Sequence, residues 1–263
     1  MPVVQKRSVI GPALLSMAVA FSCFAQESAR DIMLKIDDRP DGNDRTMTMT
    51  MRLVNKRGKE RLRKMKLFSK DYGKDDKSLF YFDYPGDVKG TGFLSWGYDN
   101  PDRDDDRWLY LPALKRAKRI SGASKNDSFM GSDMTYDDMG NRSVDEDEHR
   151  LLGEETVEGH SCWVIESVPK DKKYQYSKVV QWYRKDALVS LKGEFYDRQG
   201  KLLKTMQRSG IEKIDGYWVT RTTVVENVQS IHRTIVEITE VKFDSGLDDG
   251  LFRVATLERG KPQ

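Results

Sequence analysis

The sequence has little of what most catalytic and metal-binding sites are built from. It holds two cysteines and three histidines in 263 residues. Two cysteines cannot form a disulfide framework or a multi-thiolate metal site. His149, His160 and His232 lie outside the usual ligand spacings from one another and from cysteine. Neither a Gly-x-Ser-x-Gly elbow nor a phosphate-binding glycine loop occurs. An excess of one charge is missing too. The 45 basic residues face 42 acidic ones, and Lys6 and Arg7 belong to an N-terminal stretch without acids. The remainder is nearly neutral, which argues against a nucleic-acid partner. A mean hydropathy of −0.69 excludes a bundle of membrane spans. Yet 38% hydrophobic and 10% aromatic residues are enough for a sizeable core, so the chain is not disordered.

The longest uncharged stretch is at the start. After Lys6 and Arg7 no charge follows until Glu27, and the apolar residues are densest from Ala13 to Phe21. Small residues then lead to Ala25. This is the pattern of a secretory signal peptide cut after Ala25, which sends the chain to the periplasm. Gly11, Pro12, Ser16 and Ser22 make the stretch a poor spanning helix. Ala20-Phe21-Ser22-Cys23 is a weak lipidation box, because bulky Phe21 stands where a small residue is usual. Cleavage after Ala25 removes Cys23 and leaves Cys162 as a lone thiol in an apolar run. The expected organisation is residues 1–25 as signal peptide and 26–263 as one domain.

Ser28 to Asp38 reads as a helix: Ala29, Ile32, Met33 and Ile36 fall on one face, and Pro40-Asp41-Gly42 stops it. After that the period becomes two. Met47, Met49, Met51 and Leu53 share one side of a strand, Thr46, Thr48, Thr50 and Arg52 the other. Further β-rich runs follow at 62–68, 79–84, 92–96, 107–111, 116–121, 162–168, 177–184, 188–196, 202–211, 217–226 and 231–243. Between Val219 and Val241, 14 of 23 residues are Val, Ile or Thr, which favours strand over helix. Turn signals such as Asn55-Lys56-Arg57-Gly58 and Asp215-Gly216 separate the runs. A dozen hairpin-linked strands cannot stay flat, so a large antiparallel sheet should curl into a half-barrel or split into a sandwich. Ser121 to Arg150 is polar, with scattered Phe129, Met130, Met134, Tyr136 and Met139, and reads as loops and short helices that act as a lid.

Few residues suggest chemistry. Asp104-Asp105-Asp106 lacks the alternating ligands and distal glutamate of a calcium loop. Ser128 or Ser132 with His149 could be imagined as a triad, but no spacing supports it. The run Lys115-Arg116-Ala117-Lys118-Arg119 reads as a charged strand face or as a docking strip for anionic head groups or an acidic partner, with Lys115, Arg116, Lys118 and Arg119 making contact. The apolar candidates are Met47, Met49, Met51, Phe80, Phe82, Phe93, Trp96, Trp108 and Tyr110. A methionine row is soft and suits a surface that takes variable apolar ligands.

Three stretches resemble a known family. They are Val88-Lys89-Gly90-Thr91-Gly92-Phe93-Leu94-Ser95-Trp96, the run from Asp106-Arg107-Trp108-Leu109-Tyr110-Leu111-Pro112 to Arg119-Ile120, and Ser128-Phe129-Met130-Gly131-Ser132-Asp133-Met134-Thr135-Tyr136-Asp137-Asp138-Met139. They are similar to the bacterial outer membrane lipoprotein-sorting proteins, a LolA-like periplasmic group distinct from LolA itself. The ending, Phe243-Asp244 to Leu251-Phe252, is similar as well, so the resemblance spans about residues 28–257. It implies a mainly β fold: an open antiparallel half-barrel of about eleven strands, with a few short helices over its concave side. It implies an apolar cavity that accepts acyl chains, and an association with transporters of the resistance-nodulation-division type. No arginine here aligns with the one that holds the lid in LolA.

The resulting expectation is a non-catalytic, cofactor-free, monomeric periplasmic carrier of lipid or lipoprotein acyl chains, its cavity lined by the apolar candidates. Two other readings stay open. One is an accessory or sensor module that takes a protein partner in an envelope complex; the other is a lipid-acting hydrolase. Each buried methylene is worth roughly 0.8 kcal/mol, so an acyl chain of about 15 methylenes gives up to roughly 12 kcal/mol on burial. A carrier that must also release its cargo needs an adaptable cavity and a mobile lid.

Overall fold

The structure is a computed structural model that describes Met1 and residues 27–260. The expected signal peptide, its cut and Cys23 lie outside the described residues. The first element is helix α1 (Ala29–Asp37), capped by Ser28, whose hydroxyl accepts from the Asp31 amide at 3.1 Å. Six strands follow: β1 (Asp44–Val54), β2 (Glu60–Tyr72), β3 (Asp75–Tyr84), β4 (Gly92–Gly97), β5 (Asp106–Leu111) and β6 (Arg116–Ile120). A segment of short 3-10 turns covers residues 121–146. Then come β7 (Asp147–Val157), β8 (His160–Pro169), β9 (Tyr176–Arg184), β10 (Val189–Asp197), β11 (Leu202–Ile214), β12 (Tyr217–Asn227) and β13 (His232–Phe243). Helix α2 (Val254–Arg259) ends the chain's described part.

All thirteen strands form one antiparallel sheet in the order β6-β5-β4-β3-β2-β1-β13-β12-β11-β10-β9-β8-β7. Every pairing joins strands adjacent in sequence except β1 with β13, which welds two meanders together at the centre. That weld places β6 at one edge and β7 at the other, so residues 121–146 must cross a face of the sheet to connect them. Round the arc, twelve strand spacings amount to roughly 58 Å. The crossing takes the shorter path over the concave face of the curved sheet.

Register assigns each side chain to a face. One line of partners runs Leu53–Thr234–Val225–Met206, then Gly193–Gln181–Ile165–Leu151. All of these point inward. Near one edge, Ile165 and Tyr183 pack with Ile32 of α1. Near the other, the β1 methionines pack with Phe80, Phe82 and Phe93 beneath Phe129 of the crossing segment. On the outer face, Leu79, Tyr81 and Leu94 are covered by Phe252 and Leu257. Gly92 permits this, since a Cβ there would lie 2.5 Å from the Leu257 methyl. Farther along the outer face Cys162, Val164, Val180, Trp182 and Leu191 form a separate cluster, with the Cys162 thiol fully buried.

The fold is the open half-barrel expected, with two differences. It has thirteen strands rather than about eleven, one of them β7, which sequence reasoning assigned partly to a loop. The helices also divide: α1 and the crossing segment cover the concave face, whereas α2 packs on the convex one.

Candidate functional site

The concave face of β1–β5 is a largely apolar surface. Met51 is fully buried, Met49 and Met65 nearly so, and Phe80, Phe82 and Phe93 stand beside them. Met47, Leu67, Leu109, Val236 and Ile238 extend the patch. What covers it is the lid, residues 121–146. Phe129 has no exposed surface. Its ring lies 5.4 to 5.9 Å from those of Phe80, Phe82, Phe93 and Tyr136. Such ring pairs each add about 0.5–1.5 kcal/mol beyond area burial. Met130, Met134 and Met139 of the lid complete the contact. The lid folds locally around the Phe129 amide, which donates to the Met134 carbonyl at 2.7 Å, and a bridge between Ser128 and Thr135.

A second set of contacts pins the lid by charge. Asp133 Oδ2 accepts from the Thr234 hydroxyl at 2.7 Å and lies 2.8 Å from His232 Nδ1, both on β13. The Asp133 amide donates back to Thr234 at 2.9 Å. Asp138 meets the Lys204 ammonium of β11 at 2.7 Å and accepts from the Tyr176 hydroxyl of β9 at 2.9 Å. Lys204 is almost completely buried. Burial, then the Asp138 carboxylate, pushes the Tyr176 phenol well above its ordinary range, so it stays a donor. Toward the other end of the strands Asp137 pairs with buried Arg107 of β5 at 3.1 Å, and Asn141 donates to Asp76 of β3 at 2.9 Å. Arg63 of β2 is also buried beneath the lid, 5.9 Å from the Phe82 ring, with one guanidinium nitrogen unpartnered. Burial, then neighbouring Arg61, lowers its pKa.

Two open cavities flank this arrangement. One, of about 510 Å³, is a mouth between the β1–β2 turn, the lid and the β12–β13 turn; Asn55, Gly131, Thr135, Gln175, Lys204 and His232 line it. The other, of about 410 Å³, lies at the opposite end of the strands, and its lining includes Asp37, Asp41, Asp71, Asp75 and Asp76. Burial pushes the Asp76 carboxyl up to about 6, although Arg45 pulls it down. Among the described residues no three His, Cys, Asp or Glu side chains gather as a metal-ligand set.

The sequence candidates separate accordingly. Met47, Met49, Met51, Phe80, Phe82 and Phe93 come together on the concave face. Trp96, Trp108 and Tyr110 do not join them, which corrects the expectation of one cavity: they stand on the convex face against the C-terminal segment. The reason is parity, since each is one residue out of phase with the inward row of its own strand. Trp96 Nε1 donates to the Phe252 carbonyl at 2.9 Å, and its ring lies 4.8 Å from Trp108. Lys115 and Arg116 are exposed at the β5–β6 turn, Lys118 is exposed on the edge strand, and Arg119 is tied to Asp106. The imagined triad is not assembled: His149 bonds Ser167 and the Val144 carbonyl, and the Ser128 hydroxyl donates to the Ser132 carbonyl. Sequence reasoning missed Arg63, Asp133, Asp138, Lys204 and His232 as lid contacts. Pairs separated by 66 to 101 residues leave no local signal.

An open antiparallel half-barrel whose concave face is roofed by its own crossing segment defines a LolA-like class of protein. Against solved structures the chain is similar to a domain described as a candidate outer membrane lipoprotein-sorting protein from Vibrio parahaemolyticus. Identity is 37%, coverage 88% of this chain and 98% of that one, and the TM-score 0.83. It is similar to a DUF1329 family protein from Desulfovibrio piger at 39% identity, over 87% and 97% of the two chains, with a TM-score of 0.84. The LolA superfamily protein NE2245 from Nitrosomonas europaea shares the fold at 21% identity, over 87% and 98% of the chains, with a TM-score of 0.68. A family model described as "Uncharacterized protein" matches residues 74–259. No curated protein matches. The chain belongs to the LolA-like outer membrane lipoprotein-sorting protein family.

Proposed function

We propose that this chain is a periplasmic carrier that shelters the acyl chains of a lipid or lipoprotein against the concave face of β1–β5. One observation carries the reading. That face is a largely apolar surface rich in methionine and phenylalanine, interrupted by Arg63, and its cover is a segment with no place in the sheet, held by side-chain contacts. In the carrier, Phe129, Met130 and Tyr136 occupy the acyl site when it is empty, and an acyl chain replaces them when the lid swings out. The exchange is nearly balanced, because one apolar group replaces another on the same surface. The soft methionine row adapts to chains of different shape. Near balance is what a carrier needs, since irreversible burial would prevent delivery. The names of the solved relatives support an envelope location, and an envelope transporter is the proposed donor or acceptor.

The test is native mass spectrometry of protein purified from its own envelope, followed by extraction and lipid identification. The carrier reading expects about one amphiphile per chain. A second reading, an accessory module that takes a peptide from an envelope complex, draws on the polar lining of the mouth. Protein that is repeatedly empty, yet co-purifies with a polypeptide, favours that reading and overturns the carrier.

A further inference from the structure

The sheet is polarised from one end of its strands to the other. The β1–β2 turn carries Lys56, Arg57, Lys59 and Arg61 against Glu60, and the β5–β6 turn carries Lys115 and Arg116 with no acid. All six cations are exposed. At the opposite end the β4–β5 turn carries Asp99, Asp102, Asp104 and Asp105 against Arg103 alone. Most of the exposed large apolar side chains of the strands and turns lie at the basic end: Leu114, Ile231, Tyr84, Val228 and Leu62 are 57, 63, 50, 39 and 38% exposed, while Leu152 on β7 and Tyr72 at the acidic end lie elsewhere. Ile231 is the most telling. It holds φ +55° at the tip of the β12–β13 turn, a conformation that β-branched residues rarely adopt and glycine or asparagine would adopt at lower cost. The open cavity of about 510 Å³ beside the lid opens at this same end, between the turns that carry Lys56 and Ile231.

We propose that this basic, apolar-tipped end is the surface on which the chain docks peripherally on an anionic bilayer, with the cavity mouth facing the lipid. The proposal rests on the carrier reading and adds where cargo enters and leaves. Charge complementarity selects the partner: the exposed cations draw the end toward anionic head groups, and Ile231 and Leu114 enter the interface between them. The acidic end is repelled and points to solvent, so the orientation is fixed. Lys118 and Arg119, foreseen as part of a docking strip, are peripheral to this surface.

Vesicles of phosphatidylcholine with and without phosphatidylglycerol, sedimented with the full chain at low and high salt, test it. Binding is expected only with phosphatidylglycerol, and to fade with salt. Each cation removed should weaken it about fivefold, so Lys56→Gln/Arg57→Gln/Lys59→Gln loses on the order of a hundredfold. Leu114→Ser/Ile231→Ser should weaken binding at both salt concentrations, while Asp99→Asn/Asp102→Asn should not weaken it. All substituted side chains but Asp99 are exposed, and unchanged melting of each variant verifies folding. Failure of the wild-type chain to bind, or equal binding by the basic-turn variant, overturns the docking surface. The lipid content of the same preparations separates the two ideas. A chain that carries lipid but ignores vesicles leaves the carrier standing, and one that binds vesicles but is always empty removes it.

Discussion

The two halves of the sheet hold the same lid in opposite ways. On β1–β5 the concave face is mostly apolar, and the lid is held chiefly by shape, with Phe129 wedged among aromatic rings and polar ties only at the far end, where Asp137 meets Arg107 and Asn141 meets Asp76. On β9–β13 the same face presents Tyr176, Lys204, His232 and Thr234, and the lid is held by two aspartates. Hydrophobic contact is non-directional, so another apolar group can replace Phe129 at little net cost. Buried charge pairing is specific, and removing one partner leaves the other stranded. In the proposed carrier, one half serves as an exchangeable seat and the other as a latch that returns the lid to register. A molecule with apolar contact on both halves would hold its lid without fixing its position.

Phe129→Ala should break the apolar half most severely. Removing a fully buried ring costs about 3–5 kcal/mol where the site cannot collapse. An environment-sensitive apolar dye should then bind more strongly, because the seat is vacated. Asp138→Ala should break the polar half. It strands the Lys204 ammonium and should cost about 3 kcal/mol, visible as faster hydrogen exchange over residues 128–139. Adding Lys204→Met to that variant should recover much of the loss, since the stranded charge goes with it. Asp133→Asn keeps an acceptor for Thr234 and loses only the charge facing His232, so about 1 kcal/mol is expected in denaturant melts.

The smallest effect concerns pH at the far end of the lid. The folded chain holds the Asp76 proton more tightly than the unfolded one, with a pKa of about 6 against 3.8. Through this group stability falls as pH rises from about 4 to about 6, and the ionised form remains a liability at pH 7. Asp76→Asn should therefore be slightly more stable than the natural chain at pH 7, and Asn141 keeps an acceptor. The gain should vanish below about pH 4, as urea titrations at the two pH values would show.

Much of this was legible in the sequence because sheets carry a strict period of two. The row Met47–Met49–Met51–Leu53 gave its face directly, and the polarity of residues 121–150 marked the crossing segment. The β7 strand was hidden for a physical reason. It is an edge strand, so its residues Glu148, Glu154 and Glu155 answer to solvent, and a bulge between Leu151 and Gly153 breaks its alternation. Trp96, Trp108 and Tyr110 were misplaced because a strand covered on both faces offers large apolar residues in either phase. The latch was illegible because Asp133 and Asp138 are ordinary turn residues until the β1–β13 pairing brings β11 and β13 beneath the crossing segment.

In the proposed carrier the acyl seat is free only when the lid leaves it. Asp133→Cys/Thr234→Cys places two thiols across a lid contact, and loss of free thiols on oxidation verifies that a disulfide holds the lid down. Binding of a fluorescent fatty acid to this variant is the direct measurement. The account predicts no binding to the oxidised protein and recovery on reduction. Equal binding by the oxidised and reduced forms would contradict it, because the chain would then have a seat that the lid does not guard.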